Sequence, residues 1–79
     1  MKKLIDGSNN FNERDFNTMC EELEKGNEIE VYINCIGFTR NNMEQEHYRE
    51  ALENKYGYRL IITGQTGYNA YSYSYKLEG

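Results

Sequence analysis

His47 is the only imidazole in the chain. A histidine acts as a general base only with a partner that orients it and a pocket beside it. Glu44 and Glu50 lie at adjacent helical positions, so an acid-paired His47 is the one arrangement that could do proton transfer. The other reactive groups are poorly spaced for catalysis. Cys20 and Cys35 stand 15 apart with no CxxC, and with a single histidine they fall short of the roughly four ligands of a structural zinc site. Both fall at apolar positions of their segments, as expected of buried free thiols in a reducing compartment. Glu28 and Glu30 offer the acids of a metal-dependent nuclease, but Val31 and Tyr32 follow where its lysine is expected. The run TGQTG, Thr63–Gly67, has the glycines of a phosphate loop. It lacks the lysine and the helix N-terminus that such a loop feeds, so it reads as a hairpin turn. No catalytic residue, metal site or cofactor is expected.

Two arrays are better candidates for binding than for catalysis. Glu21, Glu22 and Glu24 decorate one expected helix, and Glu44, Glu46, Glu50 and Glu53 another. Such carboxylates can imitate a phosphate backbone and occupy a basic groove in a partner. Arg49, three residues from Glu46 and four from Glu53, tempers this charge. The second array is tyrosine. Tyr71, Tyr73 and Tyr75 alternate with Ala70, Ser72 and Ser74, so the phenols share one face of a strand. Three phenolic hydroxyls in a packed core would each need a partner. The phenols could face the helices as core, with Ala70, Ser72 and Ser74 outside, or lie on an open sheet face beside Tyr32 and Phe38 as anchors for a partner or a second copy. The need for partners favours the second register without deciding it.

The elements that must position these residues follow from periodicity. The stretch Ile29 to Phe38, led by Glu28, alternates Ile29, Val31, Ile33 and Cys35 with Glu30, Tyr32, Asn34, Ile36 and Phe38. That is a central strand with one fully apolar face. Before it, Asn12 is a helix N-cap, Asp15 completes a capping box, and Phe11 with Phe16 forms a hydrophobic staple. Phe16, Met19, Cys20 and Leu23 make one stripe, and Gly26 closes a helix over Glu13–Lys25. A second helix is expected from about Met43 to Tyr56, capped by Asn41 with Glu44 or Asn42 with Gln45. It carries His47, Tyr48, Ala51, Leu52 and Tyr56 on one stripe and is ended by Gly57. Tyr58–Thr63 and Tyr68–Leu77 read as an antiparallel hairpin around the TGQTG turn. Lys2–Asp6 is a short edge strand ended by Gly7-Ser8-Asn9-Asn10.

The order (β)αβαββ implies an α/β (α+β) two-layer sandwich: a small, mostly antiparallel or mixed sheet of three or four strands with both helices on one face. The 79 residues form one domain, and at this size the core is small enough that self-association would supplement it. Thirteen acids against nine bases, net −4, argue against direct nucleic-acid binding. No apolar run spans a membrane and Met1–Gly7 is no signal peptide, so a cytoplasmic protein is expected.

In size and in its acidic, Asn- and Tyr-rich composition, the chain resembles the small α/β proteins encoded by bacteriophages and mobile elements, of which anti-CRISPR proteins are the best known. The resemblance implies a non-enzymatic inhibitor that blocks a nucleic-acid-handling host complex. The resemblance transfers no site; from the two arrays, the partner-binding residues would be Glu21, Glu22, Glu24, Glu46, Glu50, Glu53, Tyr32, Tyr71, Tyr73 and Tyr75. Two other readings remain: a homo-oligomeric module whose open sheet faces pair, and a protein that sequesters a small ligand such as a nucleotide at TGQTG.

Overall fold

A computed structural model describes residues 2–33, 38–67 and 71–79, with side chains for 2–33, 43–65 and 72–79. The chain runs β1 (Lys2–Asp6), α1 (Glu13–Glu24), β2 (Glu28–Ile33), α2 (Phe38–Tyr56), a 3-10 turn (Gly57–Arg59), β3 (Leu60–Gly67) and β4 (Tyr71–Leu77). The four strands form one mixed sheet in the order β1-β2-β4-β3. β1 and β2 are parallel neighbours, which requires the α1 crossover between them. β4 is antiparallel to both β2 and β3. Both helices contribute to a single core with the Ile29, Val31 and Ile33 face of β2, so they cover the same side of the sheet.

α1 starts where its cap dictates. The Asn12 side-chain oxygen accepts from the Asp15 amide at 2.8 Å, and its Nδ2 donates to the Asp15 carboxylate at 2.9 Å. Phe11 and Phe16 meet with ring centroids 6.0 Å apart, completing the staple. Met19, Cys20 and Leu23 are buried beneath the helix. Gly26, at φ +90°, takes the left-handed turn that ends it, a conformation that a side chain would strain. Cys20 is a free buried thiol; Cys35 lies outside the described residues, as do Asn34 and Ile36.

Four boundaries differ from the sequence reading. β2 is described as far as Ile33, and Phe38 lies in α2, so Phe38 does not belong to the face of β2 ascribed to it. α2 begins five residues before Met43, which places Asn41 and Asn42 inside the helix rather than at its cap. Glu44 instead accepts from the Phe11 amide at 2.9 Å, and Gln45 donates to the Val31 carbonyl at 3.0 Å. Tyr58 sits in the 3-10 turn, not in a strand. TGQTG is no turn: β3 runs through Gly67, with a bulge at Thr63 between the Ile62–Tyr75 and Gly64–Ser74 pairs. The bulge supplies the irregularity for which the Gly and Thr composition suggested a reversal.

Of the two registers open to β4, the chain adopts the one that turns Tyr73 and Tyr75 toward the helices, against the open-face register that their hydroxyls favour. Paired residues share a sheet face, and Ile29 pairs with Tyr75 and Val31 with Tyr73. The apolar set of β2 must face the helices, so the Tyr set of β4 follows it inward. Tyr75 is fully buried and Tyr73 half-buried, their rings stacked 6.2 Å apart. The Tyr75 hydroxyl has no hydrogen-bond partner among the described residues. Magnitudes explain why this is tolerated. A ring that buries roughly 150–250 Å² gains about 4–6 kcal/mol, against about 1–3 kcal/mol for one unpaired hydroxyl. The side chain of Tyr71 lies outside the described residues.

Gly7 sits where the first loop crosses the core. A Cβ there would lie 3.1 Å from the Tyr48 ring and 3.3 Å from both Ile33 and Val31. Its amide donates to the Tyr32 carbonyl at 2.8 Å, extending the β1–β2 ladder by one step. Gly7→Ala is therefore expected to lower unfolding free energy by about 1–3 kcal/mol, as for an overpacked core. Chemical denaturation measures it; a wild-type midpoint would mean that the Tyr48 ring can retreat freely.

Candidate functional site

The helix layer carries the charge. α1 holds five acids and one base and α2 four acids and three bases, so the two helices bear −5 of a chain whose total is −4. Most of these carboxylates are held in place. Glu22 accepts from Asn27 at 2.8 Å and lies 3.5 Å from the Lys25 ammonium. The Asn27 hydrogen bond holds its carboxyl below the usual range. Arg49 clamps Glu46 at 2.5 Å and Glu53 at 2.7 Å, and its hydrogen bond lowers the Glu46 pKa. Glu24 accepts from the Tyr56 hydroxyl at 2.8 Å. Glu21 and Glu50 are exposed and form no ion pair or hydrogen bond among the described residues.

Across the molecule the open sheet face is a different surface from the expected phenol ladder. Tyr32 is there, half-buried, and it is the one predicted tyrosine on that side among those with described side chains. Its neighbours are tied to one another: Lys2 to Glu30 at 3.2 Å, and the Thr63 hydroxyl to the Glu28 carboxylate, reaching across β4. Ser72 and Ser74 beneath them are only 6% and 4% exposed. The predicted site residues therefore divide: the six glutamates stand on the helices, Tyr32 on the opposite side, and Tyr73 and Tyr75 in the core between.

His47 is exposed and makes no hydrogen bond to Glu44, Glu50 or any other described residue. Its ring and that of Phe11 form a T-shaped pair, with centroids 6.2 Å apart at 81°. Phe11 also packs on Tyr48 at 4.9 Å and remains 41% exposed. Phe11, His47, Glu50, Ala51 and Asn54 line a depression of about 330 Å³. Sequence reasoning used Phe11 only as a staple and missed this role. The signal that could have exposed it is the spacing of His47, Glu50, Ala51 and Asn54, one side of α2 at i, i+3, i+4 and i+7. Gln45 was missed too: 2% exposed, it spends its amide on a sheet carbonyl and belongs to the core. No group of three His, Cys, Asp or Glu side chains suited to a metal ion occurs among the described residues, and no helix described is long and apolar enough to cross a membrane.

No family model matches this chain, and no curated protein or solved structure matches it either.

Three phenols join the helices to one another and to the sheet, and all three are harder to ionise than a free tyrosine. Burial pushes the Tyr48 pKa up to about 12. Burial also raises that of Tyr56, aided by hydrogen bonding with Cys20 and Glu24, and that of Tyr75, aided by Tyr73. A pKa raised by folding contributes stability that is whole below the unfolded value of about 10 and is lost as pH rises through the folded value. For Tyr48 that window is pH 10 to 12. Alkaline titration is thus expected to show cooperative unfolding coupled to phenolate absorbance, beginning above about pH 10. Smooth ionisation of all eight tyrosines with unchanged circular dichroism would contradict it.

Proposed function

We propose that this protein is a non-enzymatic, protein-binding inhibitor of the anti-CRISPR type, which occupies the basic groove of a nucleic-acid-handling complex in the cytoplasm of a phage-infected host. The observation that carries the reading is the net −5 of the helix layer, set on a chain with +1 elsewhere. Carboxylates already pinned by Arg49, Asn27 and Lys25 lose little side-chain freedom on binding, so they present a preorganised anionic surface. The tyrosine strand contributes core rather than contact, and the binding work falls to the helices. Glu21 and Glu50 are the residues to reverse, because Glu22 and Glu24 hold Asn27, Lys25 and Tyr56.

Affinity capture from host lysate, read by mass spectrometry, tests this. The wild type is expected to retain basic nucleic-acid-binding proteins, to lose them as salt rises from about 0.1 M toward 1 M, and to yield them to excess duplex DNA. Glu21→Lys with Glu50→Lys should retain at least tenfold less. A retained set without basic proteins, or one indifferent to salt and DNA, would sink the reading.

A second reading, self-association, is favoured by the edge strand β3. The run LIITGQTG has no charged residue and no proline, while Ile62 is 45% exposed. The other edge, β1, carries Lys2, Lys3 and Asp6 in five residues, the usual protection against edge pairing. A two-fold contact sets each residue type near its own copy, which an uncharged edge permits without repulsion. On this reading sedimentation shows a dimer that Ile62→Lys converts to monomer while Leu4→Lys does not. A monomer at all concentrations removes it.

A further inference from the structure

We propose that the depression between Phe11 and α2 is a binding site for a single arginine side chain presented by a protein partner. The inference rests on the reading of the helix layer as a protein-binding surface, and it assigns that surface a specific point of recognition.

Three observations converge on guanidinium. Phe11 is fixed by Phe16, Tyr48 and His47 and by the bond from its amide to Glu44, yet part of its ring lines the depression. A ring so held offers a preorganised face to a cation. Glu50, on the same wall, is the one acid of α2 left without a partner among the described residues: Glu44 serves Phe11, while Glu46 and Glu53 serve Arg49. Asn54 adds an amide oxygen one turn further along the wall. An aromatic face, a free carboxylate and a further acceptor are what a planar, forked, weakly hydrated cation needs, and a compact ammonium uses them less well.

The neighbouring ring shows the interaction already made within the chain. Lys55 Nζ stands 6.0 Å from the Phe16 centroid and 5.6 Å from that of Tyr56. Along this aromatic row Phe16 has a cation supplied by the protein, whereas Phe11 has none among the described residues and instead borders an unpaired carboxylate. A volume of about 330 Å³ accommodates a guanidinium with its three methylenes, and the negative helix layer around it raises the local concentration of a cationic ligand.

The test is a titration of the isotope-labelled protein with N-acetyl-arginine methylamide, followed by amide chemical shifts. Saturable shifts are expected at Phe11 and at residues 47–54, with the lysine analogue binding more weakly. Glu50→Gln, isosteric and exposed, should weaken binding about tenfold. Phe11→Leu should do the same while retaining an apolar staple. Glu21→Gln, an equal loss of charge in the same layer but outside the depression, should change it less than about twofold. Should Phe11→Leu fail to fold, Glu50→Gln decides alone. Shifts spread over both helices, with Glu21→Gln and Glu50→Gln equally impaired, would overturn the site and leave the diffuse acidic surface standing. Absence of any saturable shift would overturn it as well, and lysate capture then judges the wider reading separately.

Discussion

The seat of the Tyr48 ring over Gly7 is the contact on which the rest of the molecule depends. Tyr48 lies on α2, is wholly buried, and its ring comes so near Gly7 that a Cβ there would meet it at 3.1 Å, tighter than most such contacts. Its hydroxyl donates to the Asn10 carbonyl at 3.1 Å, so one residue joins the second helix to the loop that leads into the first. Asn10 adopts φ +53° to present that carbonyl, a conformation that asparagine tolerates better than most residues. Phe11 then stacks on the same ring. The position of α1, the register of the β1–β2 ladder at Gly7 and the exposed edge of Phe11 all follow from this contact.

A second constraint acts from the sheet. Central strand β2 has one apolar face, and pairing transmits its orientation to every neighbour. Tyr75 goes inward because Ile29 does, although its hydroxyl has no partner among the described residues and a buried phenol so placed is unfavourable by itself. The sheet thereby separates two kinds of polar surface. The helix side is acidic, with its carboxylates pinned by Arg49, Lys25 and Asn27. On the open side Ser72 and Ser74 are buried beneath paired groups, Lys2 with Glu30 and Glu28 with the Thr63 hydroxyl. Among the described residues, exposed carboxylates without a partner stand on the helices at Glu13, Glu21 and Glu50.

Much of this was legible locally. Asn12, Asp15, Phe11 and Phe16 fix where α1 begins, and its stripe Met19, Cys20 and Leu23 is the stripe that is buried. The edge strand Lys2–Asp6 and the element order βαβαββ follow from hydropathy and turn chemistry alone. What failed depends on pairing, which is not local. The inward turn of the tyrosines requires the register of β4 on β2, and the sequence of β4 reads equally well in both orientations. Thr63–Gly67 has the composition of a turn, and only its pairing with Tyr71–Ser74 shows that it continues a bulged strand. Among candidate site residues, the helical glutamates could be read from spacing. The Phe11 depression could not, because it joins a loop to a helix more than 35 residues away in sequence.

The strand order has a kinetic consequence. β4, the last strand in chain order, occupies the middle of the sheet between β2 and β3. Its pairing with β2 joins residues such as Ile29 and Tyr75, far apart in sequence, and the chain must close that long loop before the ladder rewards it. The β1–α1–β2 unit and the β3–β4 hairpin can each form from nearer contacts, but neither buries Ile29 and Tyr75 until the two halves dock. Until then β2 presents an open edge along its most apolar residues. On a ribosome, the N-terminal half therefore emerges with its central strand unpaired on one side, and the sheet is completed only after β4 has been synthesised.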